Sequence, residues 1–110
     1  MPKLTLQVRL VLAMLAAEPD RQRYGLEIVE ATGLLPGTIY PILARLEQAG
    51  WLHSEWEEAD ESVVGRPRRR YYRLTPDGAA AAAEAQARAE QRAGSRVRPS
   101  LGGLLPGGAH

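Results

Sequence analysis

Five arginines, Arg66, Arg68, Arg69, Arg70 and Arg73, fall within eight residues and form the strongest electrostatic feature of this 110-residue chain. A guanidinium offers a rigid planar fork of N–H donors that matches phosphate oxygens, and it can also enter a narrow minor groove. Such a cluster points to holding a polyanion. The acids Glu57, Glu58, Asp60 and Glu61 come just before it, so the alternative is a solvated loop whose arginines pair with their neighbours. Nothing comparable supports catalysis. His53 and His110 are isolated, no carboxylate pair has a suggestive spacing around either, and no phosphate-cradling glycine motif occurs. His53 reads as a surface or packing residue on a strand. The absence of cysteine excludes disulfides, thiolate metal sites and cysteine nucleophiles, and fits a reducing compartment. Neither an enzyme nor a metal or cofactor is expected.

The second candidate for chemistry is the stretch Gly33 to Trp51, GLLPGTIYPILARLEQAGW. At about 100° per residue, Ile39, Ile42, Leu43 and Leu46 make one narrow stripe that must face a core. The other side carries Gly37, Pro41, Ala44 and Gln48, edged by Thr38 and Arg45 on one flank and by Tyr40 and Glu47 on the other. This face is small, smooth and nearly uncharged, which suits close approach to another surface such as a DNA groove; a plain amphipathic helix is the alternative. Pro36 suits a first helical position, whereas Pro41 would clash with the carbonyl four residues back in a running helix. The helix is therefore expected to start late, near Gly37 or Thr38, rather than to open with a looser turn.

These residues need a scaffold to position them. Leu4, Val8, Val11, Leu12 and Leu15 predict a first helix over about Thr5 to Glu18, with Leu6, Leu10 and Met14 on a second apolar side. That second side faces either a partner subunit or the rest of the same domain. Pro19 and the polar run to Arg23 stop the helix, and a second follows from about Tyr24 to Ala31, with Leu26, Ile28 and Val29 available for the core and Gly33 as terminator. Two helices joined by a short turn, the second with a smooth face, outline a helix-turn-helix. After Gly50 the period changes to alternation at Leu52, Ser54 and Trp56, and a second strand is expected at about Arg70 to Leu74. The pair makes a two-stranded hairpin with a long polar tip, stiffened by Pro67, in the place of a wing. Trp51 and Trp56 are assigned to core packing, with ligand contact as the alternative. Thr75, Pro76 and Asp77 then signal a helix start, with an alanine-rich helix to about Ala93 and disorder expected from Gly94 onward.

Composition bounds the rest. The chain supports one small domain, its hydrophobic share of 45% leans on alanine and includes no Phe, and burial against a partner is plausible from the start. The net charge of +1 argues for nothing by itself. The apolar opening is broken by Gln7 and Arg9, so it is a poor signal peptide and too short to span a bilayer. A cytoplasmic protein is expected, with no membrane partner.

Taken together, Gly37-Thr38-Ile39-Tyr40-Pro41-Ile42-Leu43, Arg45-Leu46-Glu47, Gly50, Gly65-Arg66-Pro67-Arg68 and Tyr71-Tyr72-Arg73-Leu74-Thr75 resemble the PadR family of bacterial transcriptional regulators over about residues 4 to 95. The resemblance implies a mainly α fold with a two-stranded β-hairpin. Residues 1–75 would form a winged helix-turn-helix, 76–95 a C-terminal dimerisation helix packing on the partner's first helix, and 96–110 a disordered tail. It also implies a homodimeric repressor. Two departures stand out: the C-terminal part is short and alanine-rich, and no aromatic residue follows Tyr72, so the flat aromatic effectors that some relatives hold with aromatic side chains on the last helix are not expected.

On this reading each subunit places its third helix in successive major grooves about 34 Å apart on a pseudo-palindromic operator in double-stranded DNA. Thr38 and Tyr40 would hold phosphates, Pro41 and Ala44 would meet thymine methyls, Arg45 or Gln48 would bond base edges, and Arg66, Arg68 and Arg69 would clamp the flanking backbone or minor groove. The competing reading is a winged-helix protein-interaction module without specific DNA binding. A small-molecule effector of unspecified identity that releases DNA is compatible with the first.

Overall fold

The computed structural model describes residues 2–104, with side chains as far as residue 94. Its elements are α1 (Leu6–Ala17), β1 (Arg23–Tyr24), α2 (Gly25–Thr32), α3 (Pro36–Gln48), β2 (Leu52–Trp56), α4 (Glu61–Val64), β3 (Arg70–Leu74) and α5 (Pro76–Leu104). α1 begins where the Thr5 hydroxyl accepts the Val8 amide at 3.2 Å, satisfying one of the amides a helix start leaves unpaired. It buries Val8, Val11, Leu12 and Leu15, while Leu6 and Leu10 on its second apolar side stay largely exposed. α2 ends at Gly33, whose left-handed backbone (φ 74°) lets its amide return to the Val29 carbonyl. Ile28 is fully buried, but Leu26, expected to be available for the core, is exposed. Two residues of helix separate their directions by about 200°, so both cannot face the same core.

α3 starts at Pro36, earlier than Gly37 or Thr38. Leu35 is its N-cap, and the Leu35 carbonyl accepts the amides of Thr38 and Ile39 at 2.9 Å each, so the helix is already running at Pro41. The only helical bond that Pro41 removes is the one Gly37 would have accepted, on the exposed side. Ile39, Ile42, Leu43 and Leu46 are buried as their spacing predicts.

The sheet has three strands, not two: the order is β1-β3-β2, all antiparallel. β1 pairs Arg23 with Tyr72 and Tyr24 with Tyr71, and at two residues it is too short for any alternation to reveal it. β2 pairs with β3 from Leu52 opposite Leu74 to Trp56 opposite Arg70. Trp56, assigned above to the core, is 56% exposed, whereas Trp51 is buried. Alternation puts Leu52, Ser54 and Trp56 on one face, but the core lies under the Leu52 end and Trp56 overhangs it. The expected polar tip contains the single turn α4, capped by the Asp60 carboxylate on the Ser62 amide (2.9 Å) and closed by Gly65 in the left-handed region.

α5 opens as expected at Thr75, whose hydroxyl accepts the Gly78 amide at 3.0 Å and donates to the Gly50 carbonyl at 2.6 Å. The helix continues to Leu104, past the boundary at which a disordered tail was expected. Residues 105–110 of that expected tail lie outside the described residues.

Two backbones meet closely where α5 leaves the sheet. The Thr75 amide donates to the Trp51 carbonyl at 3.0 Å, and a Cβ on Gly78 would lie 2.0 Å from that same oxygen. Gly78→Ala should therefore destabilise the fold by at least about 1–3 kcal/mol, the range for overpacking. Gly94→Ala, in open space on the same helix, should stabilise it by up to about 1 kcal/mol. Urea unfolding of the two variants checks both signs.

Candidate nucleic-acid interface

Burying one stripe of α3 leaves the opposite face outside. Tyr40, Pro41, Ala44, Arg45 and Gln48 are exposed and Thr38 is half-buried. Glu47, on the flank of this face, is drawn toward the sheet: it accepts the Ser54 hydroxyl and lies 3.7 Å from Arg70. Arg45 is then the charge that the outward face presents.

The wing is organised by one carboxylate. Glu57 accepts both terminal nitrogens of Arg66, Nη1 on Oε1 at 2.7 Å and Nη2 on Oε2 at 3.0 Å. It also accepts the Arg69 amide at 3.3 Å and the Tyr71 hydroxyl at 3.4 Å, while its own amide donates to the Arg69 carbonyl at 2.7 Å. The Arg66 hydrogen bonds dominate in holding the Glu57 carboxyl at a pKa of about 2, well below the usual carboxylate range. The same pairing holds Arg66 more firmly protonated. Asp60 is also lowered, by its bonds from Ser62.

The three wing arginines therefore stand differently. Arg66 is engaged by Glu57 at both nitrogens. Arg68 has its amide 3.1 Å and its Nε 3.9 Å from the exposed Glu61 carboxylate. Arg69 lies over the Tyr24 ring, 3.9 Å from the centroid. Pairing with neighbouring acids, posed above as the alternative to phosphate binding, thus applies to Arg66 and Arg68 but not to Arg69.

Tyr40, Arg68 and Arg69 come together around a cleft of about 310 Å³ between α3, the start of α2 and the base of the wing. Arg45 stands elsewhere, beside Pro2, Lys3 and Thr5 at a cavity of about 280 Å³ between α1 and α3. Arg70, counted above only as part of the arginine cluster, and Trp56, given ligand contact only as an alternative, also line the first cleft, as does Tyr24; Lys3 lines the second, and neither Tyr24 nor Lys3 was singled out from the sequence. A basic residue near α3 in space, or an aromatic beyond the end of the core, leaves no periodic signal. Leu6, Leu10, Ala13, Ala82 and Ala89 line a separate apolar groove of about 610 Å³ between α1 and α5. Among the described residues, no group of three His, Asp or Glu side chains could hold a metal ion, and no helix is long and apolar enough to cross a membrane.

The Glu57 geometry sets a pH dependence. Its carboxyl would titrate near 4.5 when the chain is unfolded and near 2 when folded. The stabilisation it gives the wing is therefore complete above the first value and is lost as pH falls through the second. The Arg66 side-chain N–H resonances should be resolved at neutral pH and merge with those of solvated arginines as pH is lowered toward about 2. In Glu57→Gln they should be merged already at neutral pH, as read by nitrogen-15 NMR.

Known proteins share this sequence pattern and arrangement. The transcriptional regulator Rv3488 of Mycobacterium tuberculosis is 46% identical over 68 residues, a match covering 62% of this chain and 55% of that protein. The crystal structure of a PadR family transcriptional regulator from Eggerthella lenta superposes with a TM-score of 0.62 at 27% identity, covering 94% of this chain and 89% of the other. BpsR of Bordetella bronchiseptica, whose DNA binding is regulated by 6-hydroxynicotinic acid, superposes with a TM-score of 0.68 at 28% identity, covering 96% and 73%. The transcriptional regulator PadR-like family matches residues 11–84, which span the second half of α1, the helix-turn-helix, the wing and the start of α5. With more than half of its length matched in this way, the chain belongs to the PadR-like family of transcriptional regulators.

Proposed function

We propose that this DNA-binding regulator is a cytoplasmic, non-enzymatic homodimeric repressor that places α3 of each subunit in successive major grooves of a pseudo-palindromic operator. One observation carries the reading: the outward face of α3 has Arg45 as its charge, and its Tyr40 shares a cleft with Arg68 and Arg69 of the wing. A helix face and a cationic wing joined in this way offer shape and charge complementary to a groove and its flanking phosphates. On this reading Pro41 and Ala44 meet thymine methyls, Arg45 or Gln48 bonds base edges, and Thr38 and Tyr40 hold the backbone. Arg68 and Arg69 clamp the flank. Arg66 serves first to shape the wing, and reaches phosphate only by exchanging its Glu57 partner. Occupying a promoter would repress it.

Dimerisation is proposed through α1 and α5. The apolar groove between them and the exposed Leu6 and Leu10 support this, and the alanine side chains of α5 permit close helix approach. Small side chains also bury little area, so the interface depends on its few leucines. Leu10→Glu should yield a monomer by sedimentation equilibrium with the helical content retained. It should also weaken operator binding by at least about tenfold, because two linked half-sites no longer act together.

Footprinting on the DNA upstream of the protein's own gene, at two salt concentrations with nonspecific competitor, tests the whole reading. A protected two-fold site of about two helical turns is expected. Uniform, steeply salt-dependent retention would reduce the role to nonspecific attraction, and no binding at either salt would leave an interaction module. Arg68→Ala and Arg69→Ala should each reduce the salt slope of operator binding by about one.

A further inference from the structure

Three side chains at the base of the wing have no part in the contacts proposed so far: Tyr24, Trp56 and Arg70. They share one cleft with Tyr40, Arg68 and Arg69, and two of its three arginines rest on rings. Arg69 lies over Tyr24, which is itself braced edge-on by Tyr71 with centroids 5.9 Å apart and planes at 89°. Arg70 lies 5.1 Å from the centroid of Trp56. The contrast with Arg66 is chemical. A carboxylate occupies the in-plane N–H donors of a guanidinium, whereas a ring takes its flat face and leaves those donors free for another acceptor. Among the described residues Arg69 has no carboxylate within ion-pair distance, and the one such neighbour of Arg70 is Glu47 at 3.7 Å. Glu47 is already engaged by the Ser54 hydroxyl.

The cleft is also apolar in part. Trp56 is 56% and Leu26 is 53% exposed, and both line it. The wall formed by Tyr40 depends on Gly25, the first residue of α2, where a Cβ would lie 2.5 Å from the Tyr40 ring. Free cationic donors beside a flat, exposed indole suit a ligand in which anionic and apolar groups alternate along a chain. A nucleic-acid backbone, phosphodiester next to deoxyribose, has that alternation. It would also pass naturally between the exposed face of α3, through Tyr40, and the wing, through Arg68, which border the same cleft.

We infer that this cleft is a subsite for the DNA backbone, with Arg69 and Arg70 on the two phosphodiesters that flank one deoxyribose and Trp56 flat against that sugar. This deepens the operator docking proposed above and rests on it. Arg70 exchanges its distant Glu47 neighbour for its phosphate, and Trp56 becomes covered by DNA. The exposed position of Trp56, at odds with its assignment to the core, is on this account a binding feature.

The two tryptophans make a direct test available, because Trp51 is buried and emission open to acrylamide comes from Trp56. The full chain is titrated with the footprinted duplex, carrying a fluorophore outside the site, while DNA anisotropy and acrylamide quenching of tryptophan are followed together. Trp56→Phe supplies the Trp51 background. Quenching of Trp56 should be lost in step with the anisotropy rise, and Arg70→Ala should lower the salt slope by about 0.9, the equivalent of one phosphate contact. Saturating anisotropy with unchanged quenching of Trp56 would overturn the subsite while leaving operator binding intact. Absence of any sequence-specific anisotropy change would instead remove the docking on which the subsite rests. The quenching arm uses the unaltered protein, so it decides the matter even if an Arg70 variant folds poorly.

Discussion

Everything outward-facing in this protein depends on the burial of four side chains of α3. Ile39, Ile42, Leu43 and Leu46 are at most 3% exposed, and each contributes roughly 1.5–3 kcal/mol on transfer from water. With that stripe committed to the core, rotation of α3 about its axis is no longer free, because turning it would expose apolar area and bury Arg45 or Gln48. The smooth outer face thus has a defined direction. Pro41 is tolerated for the same reason: its missing bond lies on the exposed side, and the buried stripe holds the helix through the gap.

The wing follows a different logic, electrostatic rather than hydrophobic. With no buried residue in α4, the loop between β2 and β3 cannot be held by a core. Glu57 does that work, gathering Arg66, the Arg69 amide and the Tyr71 hydroxyl around one carboxylate. The acidic run that nearly cancels the charge of the cluster is therefore also what shapes it. A net charge of +1 conceals a division of labour in which some arginines are tied to acids and others rest on aromatic rings. The second group keeps its N–H donors available.

The junction at Trp51, Thr75 and Gly78 connects these parts. The Trp51 carbonyl accepts the Thr75 amide while Gly78 lets the first turn of α5 press against it, so the helix leaves the sheet in a set direction beside α1. Ala82 and Ala85 on the inner side of α5 are buried, and as far as residue 94 the helix otherwise presents small or polar side chains. That composition favours a long, regular helix more than a strong contact, since alanine stabilises the backbone conformation but brings little area to an interface.

Much of this was legible in the chain alone. Period decides element type and inward face where a segment is long enough to repeat, so α1, α3 and the paired strands β2 and β3 emerge from the spacing of Val8, Leu12, Ile39, Leu43, Leu52 and Leu74. Capping chemistry is equally local, which is why Thr75 and Gly33 announce helix ends. Segments shorter than a period were not legible: β1 is two residues and α4 is one turn, and each exists because of a partner, β3 for the first and an Asp60 cap for the second. Nor could alternation say where the core stops, so Trp56 read as buried although the apolar layer ends before it. By itself the sequence determined the order of elements, their inward faces and the clustering of arginines, all properties of residues near one another in the chain. Only the tertiary structure decided which arginine meets Glu57 and which meets a ring, and that Tyr40 and Arg69 border the same cleft, because those pairings depend on how separate elements cross in space.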